Sequence, residues 1–265
     1  MIQLALFAYF VLFLILLKTR SIKPAKIWFV PLFSIYVGLI LATLLAIFLN
    51  GADSSLSEQD SFFSILIDVM NPVNGRGKVL YGGYFGLIVG YLILNFVTRR
   101  KSLPLFLDIS AICTSLLFAI WRINCFLSGC CFGMPTKILG ISFPNSSHAF
   151  RYLEGTDLVV GKATVPLLPT QLISSFGDFA IFLFLLILFL KRKTTYPYFY
   201  LFAHAILYGI GRFTIEFFRI DPREFWGPLS MSQWISLMLV AAGLVFFIKN
   251  RKEIVESFKN SPRNS

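Results

Sequence analysis

Residues 170–190 read TQLISSFGDFAIFLFLLILFL, a stretch dominated by leucine, isoleucine and phenylalanine that no proline interrupts. Crossing the hydrocarbon core of a bilayer as a helix takes about 20 such residues. The stretch therefore reads as a membrane span. Similar runs lie at 2–17, 27–49, 79–97, 103–121, 198–218 and 229–248, the first being the shortest and the one at 198–218 carrying charges. Strands of a membrane barrel would run about 10 residues with alternating polarity, which these continuous runs lack. The first run has no basic segment before it and no small-residue cleavage site after it, and its charges, Lys18 and Arg20, follow the apolar residues. It reads as a span and not as a signal peptide.

Composition agrees. Of 265 residues, 57% are hydrophobic and 14% charged, whereas soluble domains run near half apolar and a quarter charged. With 30 phenylalanines, the chain is also far from the low hydrophobicity of disordered segments.

Basic residues orient the spans. Lys18, Arg20, Lys23 and Lys26 follow the first span, Arg99, Arg100 and Lys101 the third, and Lys191, Arg192 and Lys193 the fifth. Lys249, Arg251, Lys252, Lys259 and Arg263 follow the seventh, which places 15 of the 24 Lys and Arg on one side. An opposite loop is acidic, with Asp53, Glu58, Asp60 and Asp68. Short basic loops stay in the cytoplasm. The expectation is an all-α polytopic protein of seven transmembrane helices in one membrane domain, N-terminus outside and C-terminus cytoplasmic, with a small irregular or partly β-structured extracytoplasmic cap over 122–169. The net charge of +11 is then mainly a topology signal, and nucleic acid is not an expected partner. No internal repeat is visible, which weighs against inverted-repeat transporters.

The informative residues are polar ones placed where lipid should be. In the sixth span Tyr208, Arg212 and Glu216 fall four residues apart and share one helical face, with Arg219 a turn further on. A charge at membrane depth costs at least a few kcal/mol and usually faces a bundle interior or an aqueous cavity. Arg212 and Glu216 could serve only to neutralise each other. A functional pocket is favoured because Arg122 ends the fourth span among small polar residues, and guanidinium groups match phosphate oxygens in bidentate geometry. Gly75-Arg76-Gly77 and Tyr81-Gly82-Gly83 open the third span, where paired glycines allow close backbone approach to a ligand.

Cys113 lies mid-span, while Cys125, Cys130 and Cys131 form a C-x4-C-C cluster that matches no standard zinc spacing. The cluster reads either as an oxidised pair or as small residues at a tight helix-to-loop junction. His148 and His204 are isolated. His204 precedes Tyr208 by four residues, a spacing that puts it on the same polar face, and it reads as a core or supporting histidine. No metal and no cofactor are expected.

These residues resemble the prolipoprotein diacylglyceryl transferases of bacterial membranes. Tyr208, Arg212, Glu216 and Arg219 are similar to the family's Tyr-x3-Arg-x3-Glu-Phe-Phe-Arg. Leu229-Ser-Met-Ser-Gln233 and Pro169-Thr-Gln171-Leu172 resemble the stretches opening its last and fifth spans. Trp121-Arg122-Ile123 through Gly133, then Pro135-Thr136, resembles the signature built on Gly-Arg-Ile-Gly-Asn-Phe. The resemblance implies a bacterial cytoplasmic (inner) membrane enzyme, multi-pass, with its active site toward the outer leaflet. Its partners would be phosphatidylglycerol, membrane lipids and a prolipoprotein signal peptide with a lipobox cysteine. That cysteine's thiol attacks the glyceryl carbon next to phosphate, giving a thioether and glycerol phosphate. Arg122, Arg212, Glu216 and Tyr81 would be catalytic, and Arg122, Tyr208, Arg219, Gly82, Gly83 and Gly133 would bind substrate.

The chain departs from the family pattern at three positions. Tyr81 stands where the family has His, and a phenol with a pKa near 10 is a poorer base than imidazole. Cys125 and Cys130 stand for the signature's Asn and Glu. These changes motivate one alternative, a paralogue serving a different acceptor. Another, a small transporter using Arg212 and Glu216, would require polar residues on several spans, yet spans one, two, five and seven are nearly free of charge.

Overall fold

The computed structural model describes residues 2–20, 88–93, 103–191, 194, 196–222 and 225–259, together with the single positions Phe33, Val37 and Phe96. The second span, 27–49, most of the third, 79–97, and Tyr81, Gly82 and Gly83 lie outside the described residues.

The described part is mostly helical. Helices α1 (Ile2–Thr19) and α2 (Leu103–Ser128) are followed by α3 (His148–Leu153) and a pair of two-residue strands, β1 (Val159–Val160) and β2 (Ala163–Thr164). Then come α4 (Thr170–Leu190), α5 (Phe199–Glu216), strands β3 (Phe225–Trp226) and β4 (Leu229–Ser230), α6 (Met231–Lys249) and a short α7 (Arg251–Lys259). Among the described residues α2, α4 and α6 are long and apolar enough to cross a membrane, and Gln3–Thr19 is a shorter apolar helix. Of the apolar stretch of α2, 78% is buried, against 22% for α4 and 17% for α6. So α4 and α6 present apolar surface outward, including Phe176, Met238, Val245 and Ile248, whereas α2 is enclosed.

The helix of the fourth span runs on past Trp121 to Ser128, so the segment expected to be cap from residue 122 is helical for its first two turns. Nothing between 121 and 128 breaks a helix. The first residue that does is Gly129, which takes a left-handed φ of 69°. There the amide of Cys130 donates to the Cys125 carbonyl (3.1 Å) and that of Gly129 to Phe126 (3.0 Å), the paired bonds of a Schellman C-cap. Beyond it the cap is partly β-structured. Val159 pairs with Thr164 and Val160 with Ala163 in an antiparallel ladder, over a small core of Phe132, Phe143, Ala149, Leu153 and Leu167.

The chain divides into two compact units, residues 1–9 with 108–265, and residues 10–107. Within the larger, Tyr9 Oη shares a 2.6 Å hydrogen bond with Ser110 Oγ, and Asp108 accepts the backbone amide of Leu201, satisfying an otherwise free donor in the first turn of α5. Helices α5 and α6 pack closely because glycine sits at their crossing. A Cβ on Gly209 would lie 2.8 Å from Val240 Cγ2 and 3.0 Å from the Ser236 carbonyl, and one on Gly243 would strike Ile206. Small residues at such crossings are how membrane helices gain contact. Antiparallel β3 and β4 join the pair. Within the smaller unit, Phe13, Tyr91 and Phe106 cluster, with ring centroids 5.9–6.3 Å apart.

Candidate active site

The polar face of α5 is buried, with Glu216 at its end only 2% exposed. A carboxylate this deep needs both oxygens satisfied. Its Oε2 meets Arg212 Nη1 at 2.5 Å and Arg219 Nη1 at 3.3 Å, and its Oε1 accepts from Ser230 Oγ at 3.0 Å. The Arg212 contact is an ion pair whose angle falls short of a hydrogen bond. Arg212 instead donates from Nη2 to Ser232 Oγ (3.0 Å). Arg219 is also held in a fork by Asp221, through Nε to Oδ1 at 2.8 Å and Nη2 to Oδ2 at 2.7 Å.

Each resembling motif has a visible job in this site. Ser230 caps α6 in a capping box with Gln233 and at the same time fixes Glu216, while Ser232 in the first turn of α6 fixes Arg212. At the start of α4, Thr170 Oγ1 donates to the Cys131 carbonyl (2.5 Å) and Gln171 Nε2 to that of Cys130 (2.6 Å). The turn after α2 is stitched to the end of α5 by Met134 N to Phe218 O (2.9 Å) and by a bridge between Gly133 and Arg219. Gly133 has no room for a side chain, since a Cβ would lie 2.7 Å from Thr170 Cγ2, 2.8 Å from the Leu168 carbonyl and 2.9 Å from the Phe218 carbonyl. Its role here is close passage of three backbone segments.

Arg122 is different in kind. It is 8% exposed and forms no direct hydrogen bond or ion pair among the described residues. Its electrostatic neighbours are Cys131, Cys125, Tyr208 and Asp178. Tyr208 is buried, stacked at 5.6 Å on His204 and tilted against Phe118 at 5.0 Å, so His204 backs the tyrosine. Asp178 is 7% exposed on α4 and faces both Arg122 and Arg212. It lies in the fifth span, whose near-absence of charge hides it in the sequence. The signal was an aspartate roughly 12 Å into an apolar helix.

The second feature missed is convergence of the cysteines. The Sγ atoms of Cys125, Cys130 and Cys131 all lie within 4.8 Å of one another. In a Schellman cap the residue after the left-handed glycine sits over the helix position five earlier, which places Cys130 on Cys125. A second left-handed residue, Cys131 at φ 59°, brings in the third thiol. Hydrogen bonds from Cys125 and then Cys130, with Arg219 and Arg122 nearby, hold the Cys131 thiol well below its ordinary pKa.

The family model described as prolipoprotein diacylglyceryl transferase matches residues 1–249. The chain belongs to that family. It is 37% identical over 187 residues to the phosphatidylglycerol--prolipoprotein diacylglyceryl transferase 2 of Clostridium perfringens, covering 69% of this chain and 67% of that one. It is 34% identical over 194 residues to the phosphatidylglycerol--prolipoprotein diacylglyceryl transferase of Clostridium tetani, covering 69% and 71%. The protein of the same name from Streptococcus sanguinis is 32% identical over 204 residues, covering 74% and 71%. Family membership makes the enclosed arginine cluster, and not the composition, the place to look for chemistry.

Proposed function

We propose that this protein transfers the diacylglyceryl group of phosphatidylglycerol to the lipobox cysteine of a prolipoprotein. The observation that carries the reading is Arg122, a buried guanidinium with no direct hydrogen bond or ion pair among the described residues, in a site whose other arginines, Arg212 and Arg219, are already tied down. Burying a charge whose nearest opposite charge, Asp178, makes no direct pair with it is costly. A site that retains one is built to receive an anion. The phosphodiester of a phospholipid headgroup fits, because guanidinium donors match its oxygens and stabilise the charge that grows as glycerol phosphate departs. The lipobox thiol attacks the adjacent glyceryl carbon, the carbon–oxygen bond to phosphate breaks, and a thioether remains.

In this reading Arg122 and Arg212 meet phosphate, Tyr208 shapes the pocket beside Arg122, and Glu216 positions Arg212 and Arg219. The thiol must lose its proton to become the competent nucleophile. Tyr81 is the proposed catalytic residue for the thiol and Gly82 and Gly83 the proposed substrate-binding glycines, while Gly133 serves the site through the close backbone passage that its missing side chain allows. The site faces the outer leaflet of a bacterial inner membrane, in a seven-span chain with the N-terminus outside.

Two measurements test this. Expression in a strain depleted of its own lipoprotein transferase should restore lipidated lipoproteins and growth; failure of a well-expressed, membrane-inserted protein to do so would transfer the assignment to another acceptor. Tyr81→Phe should lower transfer about tenfold or more if the phenol hydroxyl takes or gives a hydrogen bond in the reaction. An unchanged rate would leave Tyr81 with packing alone.

A further inference from the structure

We propose that Cys125, Cys130 and Cys131 form a three-thiolate binding site for a soft divalent metal ion of the zinc class. The inference rests on geometry, and its test reads metal retention rather than transfer.

Three sulfurs within 4.8 Å of one another are close to a ligand set. With metal–sulfur bonds of about 2.3 Å, ligating sulfurs in a tetrahedral site stand roughly 3.8 Å apart, so the cluster must contract by at most about 1 Å. A disulfide needs sulfurs at about 2.05 Å and would leave the third thiol unused. Cys130 and Cys131 are also adjacent in the chain, and a trans peptide holds their Cα atoms about 3.8 Å apart, short of the usual disulfide range.

The backbone is arranged for convergence. Cys125 and Cys130 are the two ends of the Schellman cap, and its bond from the Cys130 amide to the Cys125 carbonyl is 3.1 Å. Cys131 accepts a left-handed φ of 59°, a conformation that costs a non-glycine residue roughly 1–2 kcal/mol. The turn is kept in place from outside by Thr170 and Gln171, which occupy the carbonyls of Cys131 and Cys130. Packing alone would not require this.

Charge also fits. Three thiolates around a dication leave one negative charge, and Arg122 and Arg219 lie within electrostatic reach of Cys131. Cys130 and Cys131 are partly exposed while Cys125 is buried, which gives an ion a way in. Thiolates select soft ions over magnesium or calcium. With three protein ligands, a fourth coordination position stays open to solvent or to another donor, as in catalytic zinc centres.

The test uses the full-length protein in detergent, kept reduced throughout. It is equilibrated with zinc, freed of unbound metal by gel filtration and assayed by mass spectrometry. About one zinc per chain is expected, and cadmium should give a sulfur-to-metal charge-transfer band. Cys130→Ser and Cys131→Ser should each weaken retention at least tenfold, and Cys113→Ser should leave it unchanged. In the unmutated protein, zinc should protect Cys125, Cys130 and Cys131 from alkylation, a readout that requires no variant to fold. No retained zinc would overturn the proposal. So would retention indifferent to Cys130 and Cys131, alkylation unaffected by zinc, or a disulfide among the three in the reduced protein.

Discussion

Arg122→Ala should reduce incorporation of labelled diacylglycerol into a lipobox peptide by roughly 10²–10³-fold, the loss that follows removal of one well-aimed donor to developing negative charge. The same variant should insert and melt at or above the temperature of the parent. The two expectations come from one fact. Arg122 is 8% exposed and has no direct hydrogen bond or ion pair among the described residues, so its removal strands no partner. Asp178, which faces both Arg122 and Arg212, keeps the second of these. A structural arginine would behave in the opposite way, because truncating one member of a buried pair leaves the other charge uncompensated. Arg122→Lys restores the charge but not the planar fork, and should recover only part of the activity. Detergent-solubilised enzyme, assayed for transfer and for thermal unfolding side by side, separates the outcomes. Near wild-type transfer by Arg122→Ala would end the assignment of this residue to phosphate.

Hydropathy alone located α4, since 170–190 is strongly apolar despite Asp178 and its helix spans Thr170–Leu190. The i, i+4 spacing likewise made the Arg212–Glu216 pair legible. Other features depend on tertiary partners and leave no periodic trace. That Arg219, already within i, i+3 reach of Glu216, is also bridged to Gly133 follows from where the chain runs after α5. That Ser230 and Ser232 hold the pair follows from where the β3–β4 turn returns the chain to α6. Helix α2 outruns its apolar stretch because hydropathy drops at Arg122 whereas the helix is stopped only by the left-handed Gly129. The cysteine cluster was locally encoded after all. Its C-x4-C spacing matches no standard metal motif but equals the five-residue offset of a helix C-cap.

Glu216→Gln is expected to have the other large effect, on stability and activity together. The carboxylate takes Arg212 and Arg219 on one oxygen and Ser230 on the other. Both oxygens are thus engaged, which leaves little capacity to accept a proton from a thiol and makes Glu216 a positioning residue. Loss of its charge removes the direct ion-pair partner of Arg212, which keeps only the more distant Asp178, whereas Arg219 keeps its fork to Asp221. Breaking a buried pair of this type costs about 3–5 kcal/mol, so the melting temperature should fall markedly. Transfer should fall about as far as in Arg212→Ala, because the same guanidinium is misplaced in one variant and absent in the other. The decisive measurement is the double variant. If Glu216 acts through Arg212, then Arg212→Ala with Glu216→Gln should be little slower than either alone, and removal of both charges should recover part of the lost stability. If the rate losses instead multiply, Glu216 has a separate duty in the reaction, and the proton acceptor for the thiol would have to be sought there.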